Sequence, residues 1–304
     1  MRLSPHSRAI LQALFVTFLW STSWVLIKQG LREIPPLIFA GLRYAIAFAI
    51  LLPVLWTHRH EMRELTLGQW ARLGGLGLVF YAATQGGQFL TLNYLEAITF
   101  SLLLSFTPVL VALAGASTLR ELPSRSQWLG ILVVLGGALL YFSPLSVFRG
   151  SVLGLVLAGV TVCANAAAAL LGRSVNRERM ASPLVVTAIS MGIGAACLLG
   201  AGWATQGLPA LSLKGWGIIV WLAVFNTALA FTLWNRTLRV LSAVESSVIN
   251  NTMLIQIAVL AWLFLGETLG VLEIVGLGLV ALGTLLVQLR RAPTESAETG
   301  RWKR

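Results

Sequence analysis

Aspartate is absent from the 304 residues, histidine occurs three times, cysteine twice, and only 11% of the chain is charged. Each shortage excludes something. His6, His58 and His60 fall in the N-terminal tail and one loop, away from both Cys163 and Cys197. Intramembrane proteases and transferases need clustered acids, histidines or a nucleophile paired with a base. That equipment is missing, so no catalytic residue, cofactor or metal site is expected. Both cysteines lie in apolar runs and give no disulfide framework. A soluble domain of this length covers itself with charge, which 11% cannot supply.

The chain is instead rich in apolar sequence: 57% of the residues are hydrophobic and the mean hydropathy is +0.83. A membrane helix needs roughly 20 mainly apolar residues. Ten runs qualify, at about 9–27, 37–56, 71–92, 97–118, 127–143, 150–172, 183–203, 215–235, 244–265 and 270–289. The first lacks a signal-peptide cleavage site and leads into Lys28 and Arg32, so it reads as a retained span. Residues 290–304 form a polar, basic tail expected to be disordered and cytoplasmic.

A net charge of +11 suggests nucleic acid until its distribution is read. With the N-terminus in the cytoplasm, seventeen of the 22 basic residues fall in cytoplasmic segments. Four (Lys28, Arg32, Arg149 and Lys214) fall in outer loops, and Arg43 lies within a span. This is the positive-inside bias. It predicts a multi-pass protein of a bacterial-type inner (plasma) membrane with both termini cytoplasmic. The charge reports topology, not a nucleic-acid partner.

The two halves are alike. Arg120–Leu140 aligns with Gly266–Leu286 at a constant offset of 146, which places Glu121 on Glu267, Gly130 on Gly276 and Gly137 on Gly283. Five spans per copy is an odd number, so the second copy enters the membrane from the opposite side. The expected fold is an all-α integral membrane protein of ten transmembrane helices in two inverted five-helix repeats, residues 1–146 and 147–289. Such repeats mark secondary transporters, which hold solute near the midplane at the repeat interface.

The stretches Leu19–Leu31, Phe39–Pro53, Glu121–Leu140, Ala228–Ser247 and Leu265–Leu286 give this order and spacing a resemblance to the EamA-type permeases of the drug/metabolite transporter (DMT) superfamily. The resemblance covers nearly the whole chain. It implies a 5+5 basket that moves small metabolites, often outward. Proline is often present in both repeats of that family. Here Pro108 breaks the fourth span, whereas the equivalent position is Leu254.

Helical periodicity selects lining residues. Tyr81, Thr84, Gln85 and Gln88 form a polar stripe on the third span, and Ser101, Ser105 and Pro108 share a face of the fourth. On the ninth, Ser246, Ser247, Asn250 and Asn251 form one polar arc, with Glu245, Thr252 and Gln256 opposite. The offset carries Ser101 and Ser105 onto Ser247 and Asn251, a pseudo-symmetric pair at one depth. Trp20 and Trp24 on the first span, with Asn226 and Trp234 on the eighth, add aromatic walls and an amide. Such a mixture suits an amphipathic solute. The expected substrate-binding residues are therefore Trp20, Trp24, Tyr81, Gln85, Gln88, Ser101, Ser105, Asn226, Trp234, Ser247, Asn250 and Asn251.

Two charges need a role. Arg43 can snorkel, pair with Glu33 or Glu267, or bind a solute carboxylate, and a structural ion pair is the expectation. Glu245 can pair with Arg236 and Arg239 or couple to protons. With no deeply placed acid, neither proton nor sodium coupling is supported. The function expected is a secondary transporter of amino acids or related amphipathic solutes by alternating access, working as a monomer in the lipid bilayer, and the resemblance implies that it exports them. The alternatives are a multidrug or lipid-linked solute exporter of the same fold, with an integral-membrane enzyme disfavoured.

Overall fold

The computed structural model describes residues 4–118, 124–143, 151–177, 181–207, 209–237, 240–241 and 243–288, and the side chains of 54, 115–118, 173, 176–177, 235, 243–244, 247 and 288 fall outside the description. Glu121 and the tail 290–304 therefore lie outside the described residues, as does the side chain of Ser247.

Every regular element among the described residues is helical. In chain order they are α1 (Pro5–Gly30), α2 (Pro36–Thr57), α3 (Arg59–Glu64), α4 (Leu67–Leu76), a π-helical stretch (Gly77–Gln85) and α5 (Gly86–Tyr94). Next come α6 (Ala97–Leu104), α7 (Thr107–Thr118), α8 (Arg125–Tyr141), α9 (Val152–Arg177) and α10 (Pro183–Gln206). The chain ends with α11 (Leu213–Ala223), a second π-helical stretch (Val224–Leu229), α12 (Ala230–Thr237), α13 (Ala243–Leu265) and α14 (Val271–Gln288). Helix starts follow local chemistry. Thr66 with Gln69 and Ser124 with Gln127 form capping boxes, in which each side chain satisfies the other's free backbone N–H. Pro5 and Pro183 open α1 and α10, each just after a serine, where proline's missing N–H costs nothing.

Among the described residues, seven stretches are long and apolar enough to cross a membrane: Pro5–Gly30, Pro36–Pro53, Ala97–Ala114, Val152–Gly172, Pro183–Gln206, Leu213–Trp234 and Val248–Leu265. Arg125–Tyr141 and Val271–Val287 are shorter apolar helices. The remaining expected span, at about 71–92, lies within α4, the first π-helical stretch and α5. This is a multi-pass membrane protein.

The helices pack in pairs that the 146-residue offset explains. Gly130 and Gly137 of α8 face Gly283 and Gly276 of α14 so closely that a Cβ at Gly130 would lie 2.8 Å from the Gly283 carbonyl oxygen. A Cβ at Gly137 would lie 2.8 Å from that of Gly276. Since Gly276 and Gly283 are the shifted images of Gly130 and Gly137, the contact is reciprocal, as a two-fold requires. One index rises as the other falls, so the helices run antiparallel. Small residues allow this approach, the main source of helix association in lipid. Likewise α2 packs against α10, with Gly41 against Leu199 and Gly202 against Ile38.

The two π-helical stretches obey the same offset, because Gly77–Gln85 shifted by 146 covers Val224–Leu229. Thr84 and Thr227 each turn a hydroxyl back onto the carbonyl five residues earlier, Val79 and Leu222, both at 2.9 Å. The prolines are asymmetric. The chain breaks at Ser105–Phe106, just before Pro108, whereas α13 continues unbroken through Leu254. Proline lacks the N–H that a helix interior needs, so only the first repeat carries this break.

Candidate substrate-binding cavity

A cavity of about 810 Å³ lies among α1, α2, the α4–α5 run, α9, α12 and α13. A smaller chamber of about 240 Å³ adjoins it between α6–α7, α13 and α14, and both are walled by Trp24, Leu104, Asn165, Asn250 and Met253. Both repeats contribute at equivalent positions. Gln85 and Phe231, Gln88 and Trp234, Leu104 and Asn250, Thr107 and Met253, and Ser105 and Asn251 are each 146 apart, and all line these spaces.

Arg43 of α2 is 5% exposed and reaches the larger cavity. Its Nε donates to Thr227 Oγ1 at 2.9 Å, and one Nη donates to Ser23 Oγ at 3.5 Å. The guanidinium carbon stands 5.3 Å from the Tyr44 ring centroid. Thr227 donates its own hydroxyl proton to Leu222, which leaves its lone pairs for Arg43. The expected ion pair does not form. Glu33 instead accepts from Ser212 at 2.7 Å, and Glu267 accepts from the Ala97 and Ile98 amides. Arg43 has no carboxylate within 4.0 Å among the described residues. The reason is reach: both glutamates are engaged at helix ends, while Arg43 points into the cavity.

The aromatic wall comes from helical spacing. Trp20 and Trp24, one turn apart on α1, share a face. Trp20 packs on Phe231 and Trp234, three apart on α12, with centroids at 5.5 and 5.2 Å. Trp24 packs on Phe100 at 5.3 Å.

The two arcs of α13 separate in role. Gln256 accepts from Ser21 at 2.9 Å and donates to Thr17 and Thr252, so this arc fastens α13 to α1. On the other arc, Asn250 is exposed to both chambers and its side chain makes no hydrogen bond among the described residues. Asn251 lines the smaller chamber and also donates to the Ala281 carbonyl of α14 at 2.6 Å. Ser101 and Ser105 line the smaller chamber while bonding back to Ile98 and Ser101 of their own helix. Gln85 accepts from the Tyr44 hydroxyl at 2.8 Å, and Gln88 reaches the larger cavity.

Two expected residues stand apart from both linings. Tyr81 is 2% exposed and packs on Tyr44 and Phe80. Asn226 is fully buried and donates to the Leu19 carbonyl and to Thr22, which ties the second π-helical stretch to α1. Glu245 stands 3.0 Å from His6 Nε2 at the helix start. Ser23, Tyr44, Phe80, Phe231 and Met253 were not expected in the site. Phe231, one turn before Trp234, and Tyr44, beside Arg43, were the readable signals.

The side opposite the N-terminus is closed around Leu95. Lys28 Nζ donates to the Leu92 and Leu95 carbonyls at 2.7 and 2.6 Å. Glu267 accepts from Ala97 N at 2.7 Å and Ile98 N at 2.9 Å. A cation thus caps the C-terminal end of α5 and an anion the N-terminal end of α6, the signs each helix end favours. The cavity lining extends the other way, to Trp234 and Ser246.

The model of the EamA-like transporter family matches twice, over residues 7–143 and 152–289. "Uncharacterized transporter YvbV" of Bacillus subtilis (strain 168) is 27% identical, covering 99% of this chain and 98% of its own. An "Uncharacterized transporter" of Archaeoglobus fulgidus is 27% identical over 93% and 99%. "Uncharacterized inner membrane transporter YedA" of Escherichia coli (strain K12) is 27% identical over 91% and 90%. A solved crystal structure with 17% identity superposes with a TM-score of 0.65, covers 92% of this chain and 96% of that one, and shares the fold. With two such matches spanning the helices that build the cavity, the chain belongs to the EamA-like transporter family, whose members are membrane transporters.

Proposed function

We propose that this chain is a secondary transporter that exports small amphipathic metabolites, amino acids or related solutes, across the inner membrane by alternating access. It would do so as two five-helix repeats of opposite orientation, with both termini in the cytoplasm and a complete pathway in one monomer. The observation that carries this reading is the cavity of about 810 Å³, walled at equivalent positions by both repeats. The reciprocal glycine contacts of α8 and α14 and the paired π-helical stretches support the inverted arrangement. A pathway between two such repeats can open on either side by rocking one against the other. The closed Lys28–Leu95–Glu267 end and the lining that runs toward Trp234 fit a state that faces the N-terminal side. Outward direction and inner membrane rest on the resemblance and on the basic-residue bias.

The test is uptake and counterflow in proteoliposomes with labelled amino acids, with and without a pH gradient. Saturable exchange is expected. If folded protein moves none of them, the amino-acid reading fails.

A further inference from the structure

We propose that Arg43 is the anchor for the solute's carboxylate, so that the protein selects amphipathic organic acids and does not require an amino group. The inference rests on the transporter reading above and names the chemistry its site recognises.

A guanidinium inside a membrane protein is costly unless it is paired or has work to do. Arg43 satisfies part of its donor set with two neutral hydroxyls, Thr227 and Ser23. Its other Nη makes no hydrogen bond among the described residues, and no acid neutralises it there. Because it is 5% exposed and that exposure faces the cavity, it cannot snorkel to bulk water as an arginine at a helix end does. Thr227, oriented by Leu222, and the Tyr44 ring hold the fork in place, and the planar fork matches a carboxylate.

The rest of the lining says what the acid is attached to. Trp20, Trp24, Phe231 and Trp234 offer apolar faces, which suit a hydrocarbon or aromatic body and have no use for an inorganic anion. Among the described residues, none that lines either chamber is acidic. An ammonium on the solute would therefore meet only amides, hydroxyls and ring faces. One fixed cation and no fixed anion match a monoanion, and a zwitterion is accepted through its carboxylate alone.

The experiment uses purified full-length protein. Tryptophan fluorescence is the binding readout, since three tryptophans line the cavity. The probes are two matched sets: phenylalanine, 3-phenylpropionate and phenethylamine; leucine, 4-methylpentanoate and isoamylamine. Both acids are expected to bind at least as well as their amino acids, and both amines at least about tenfold more weakly, the scale of one charged hydrogen bond. Arg43→Gln, which keeps a donor toward Thr227, is expected to lose carboxylate binding by about tenfold or more. Arg43→Lys is expected to retain part of it. A purely structural Arg43 would leave the acid-to-amine ratio unchanged in Arg43→Gln. Should Arg43→Gln fail to fold, the ratio in the parent protein decides alone. Amines binding as well as acids, or no acid binding, would overturn the proposal. Counterflow in the same proteoliposomes separates the two claims: amines carried as well as acids sinks the anchor and leaves the transporter, whereas Arg43-dependent binding with no flux of any probe sinks the transporter.

Discussion

If the cavity is reached from alternate sides, the closed end around Leu95 must open, and Glu267 is the side chain to perturb. It belongs to the second repeat, yet it caps α6 of the first through two amides at 2.7 and 2.9 Å. Hydrogen bonds to a charged group contribute about 1.5–3 kcal/mol each. Glu267→Ala removes both, and water entering the opened end recovers part, leaving a net loss of about 2–4 kcal/mol for the closed arrangement. Every 1.4 kcal/mol is tenfold, so the open population should rise roughly thirty- to several-hundredfold while it remains the minor state. The assay starts from a parent with Cys163 and Cys197 replaced and Ser101→Cys added, because Ser101 lines the smaller chamber and is 4% exposed. A membrane-impermeant maleimide is applied from the side opposite the N-terminus. Glu267→Ala should label faster by that factor. Glu273→Ala is the control, since Glu273 caps only its own helix through Gly270 N. If folded Glu267→Ala labels no faster than the Glu273 control, Glu267 does not hold this end shut.

Three further outcomes are expected. Gly137→Ala should lower the melting temperature, because its Cβ would meet backbone at 2.8 Å and overpacking costs about 1–3 kcal/mol; Gly136→Ala, with nothing within 4 Å, should be neutral or stabilising in the same thermal assay. Asn250→Ala should leave the melting temperature unchanged and weaken apparent solute affinity, whereas Asn251→Ala should also cost about 1 kcal/mol, the worth of its bond to Ala281. The Ser182 backbone N–H at 2.7 Å holds the Glu61 carboxyl below the usual glutamate range. A depressed folded pKa stabilises above the unfolded value of about 4.3 and is lost as pH falls through the folded value; Glu61→Gln should therefore remove that acid-side part of the melting curve.

Apolar run length placed the helices, and the 146-residue offset aligned Gly130 and Gly137 with Gly276 and Gly283, whereas the α8–α14 contact that these glycines make came only from the fold. Asn250 and Trp20 line the larger cavity, and each lies on a face that regular helical spacing marks out in the sequence. Tyr81 was assigned to the third span's polar stripe by α-helical spacing, but Gly77–Gln85 is π-helical. Its wider turn breaks the register, so Gln85 and Gln88 reach the cavity while Tyr81 packs behind Tyr44. Asn226 sits in the matching stretch and is likewise displaced into a helix contact. A single sequence gives no signal for an extra residue in a turn. Arg43 was left between three roles for another reason: its partners Ser23 and Thr227 are 20 and 184 residues away, and only the packed fold brings them together.

The offset also accounts for the amphipathic character of the cavity. A duplicated helix bundle begins with like residues facing each other across its axis, which would give two similar walls. Here the equivalent positions have diverged in kind. Gln85 faces the solute space from one repeat where Phe231 does so from the other, and Gln88 is matched in the same way by Trp234. Arg43 has Ile189 as its counterpart, and Pro108 has Leu254. At these matched positions the first repeat supplies the charge, two glutamines and the helix break and α12 of the second supplies aromatic surface, while Trp20 and Trp24 of the first repeat and Asn165, Asn250 and Asn251 of the second complete the lining. Under the carboxylate-anchor proposal, a solute with an acid at one end and a hydrocarbon body at the other would meet Arg43 on the first repeat and Phe231 and Trp234 on the second. A ligand shifts an equilibrium only by its differential affinity for the two states. If one repeat rocks against the other, Phe231 and Trp234 move relative to Arg43, and a solute touching both would be held differently in the two states.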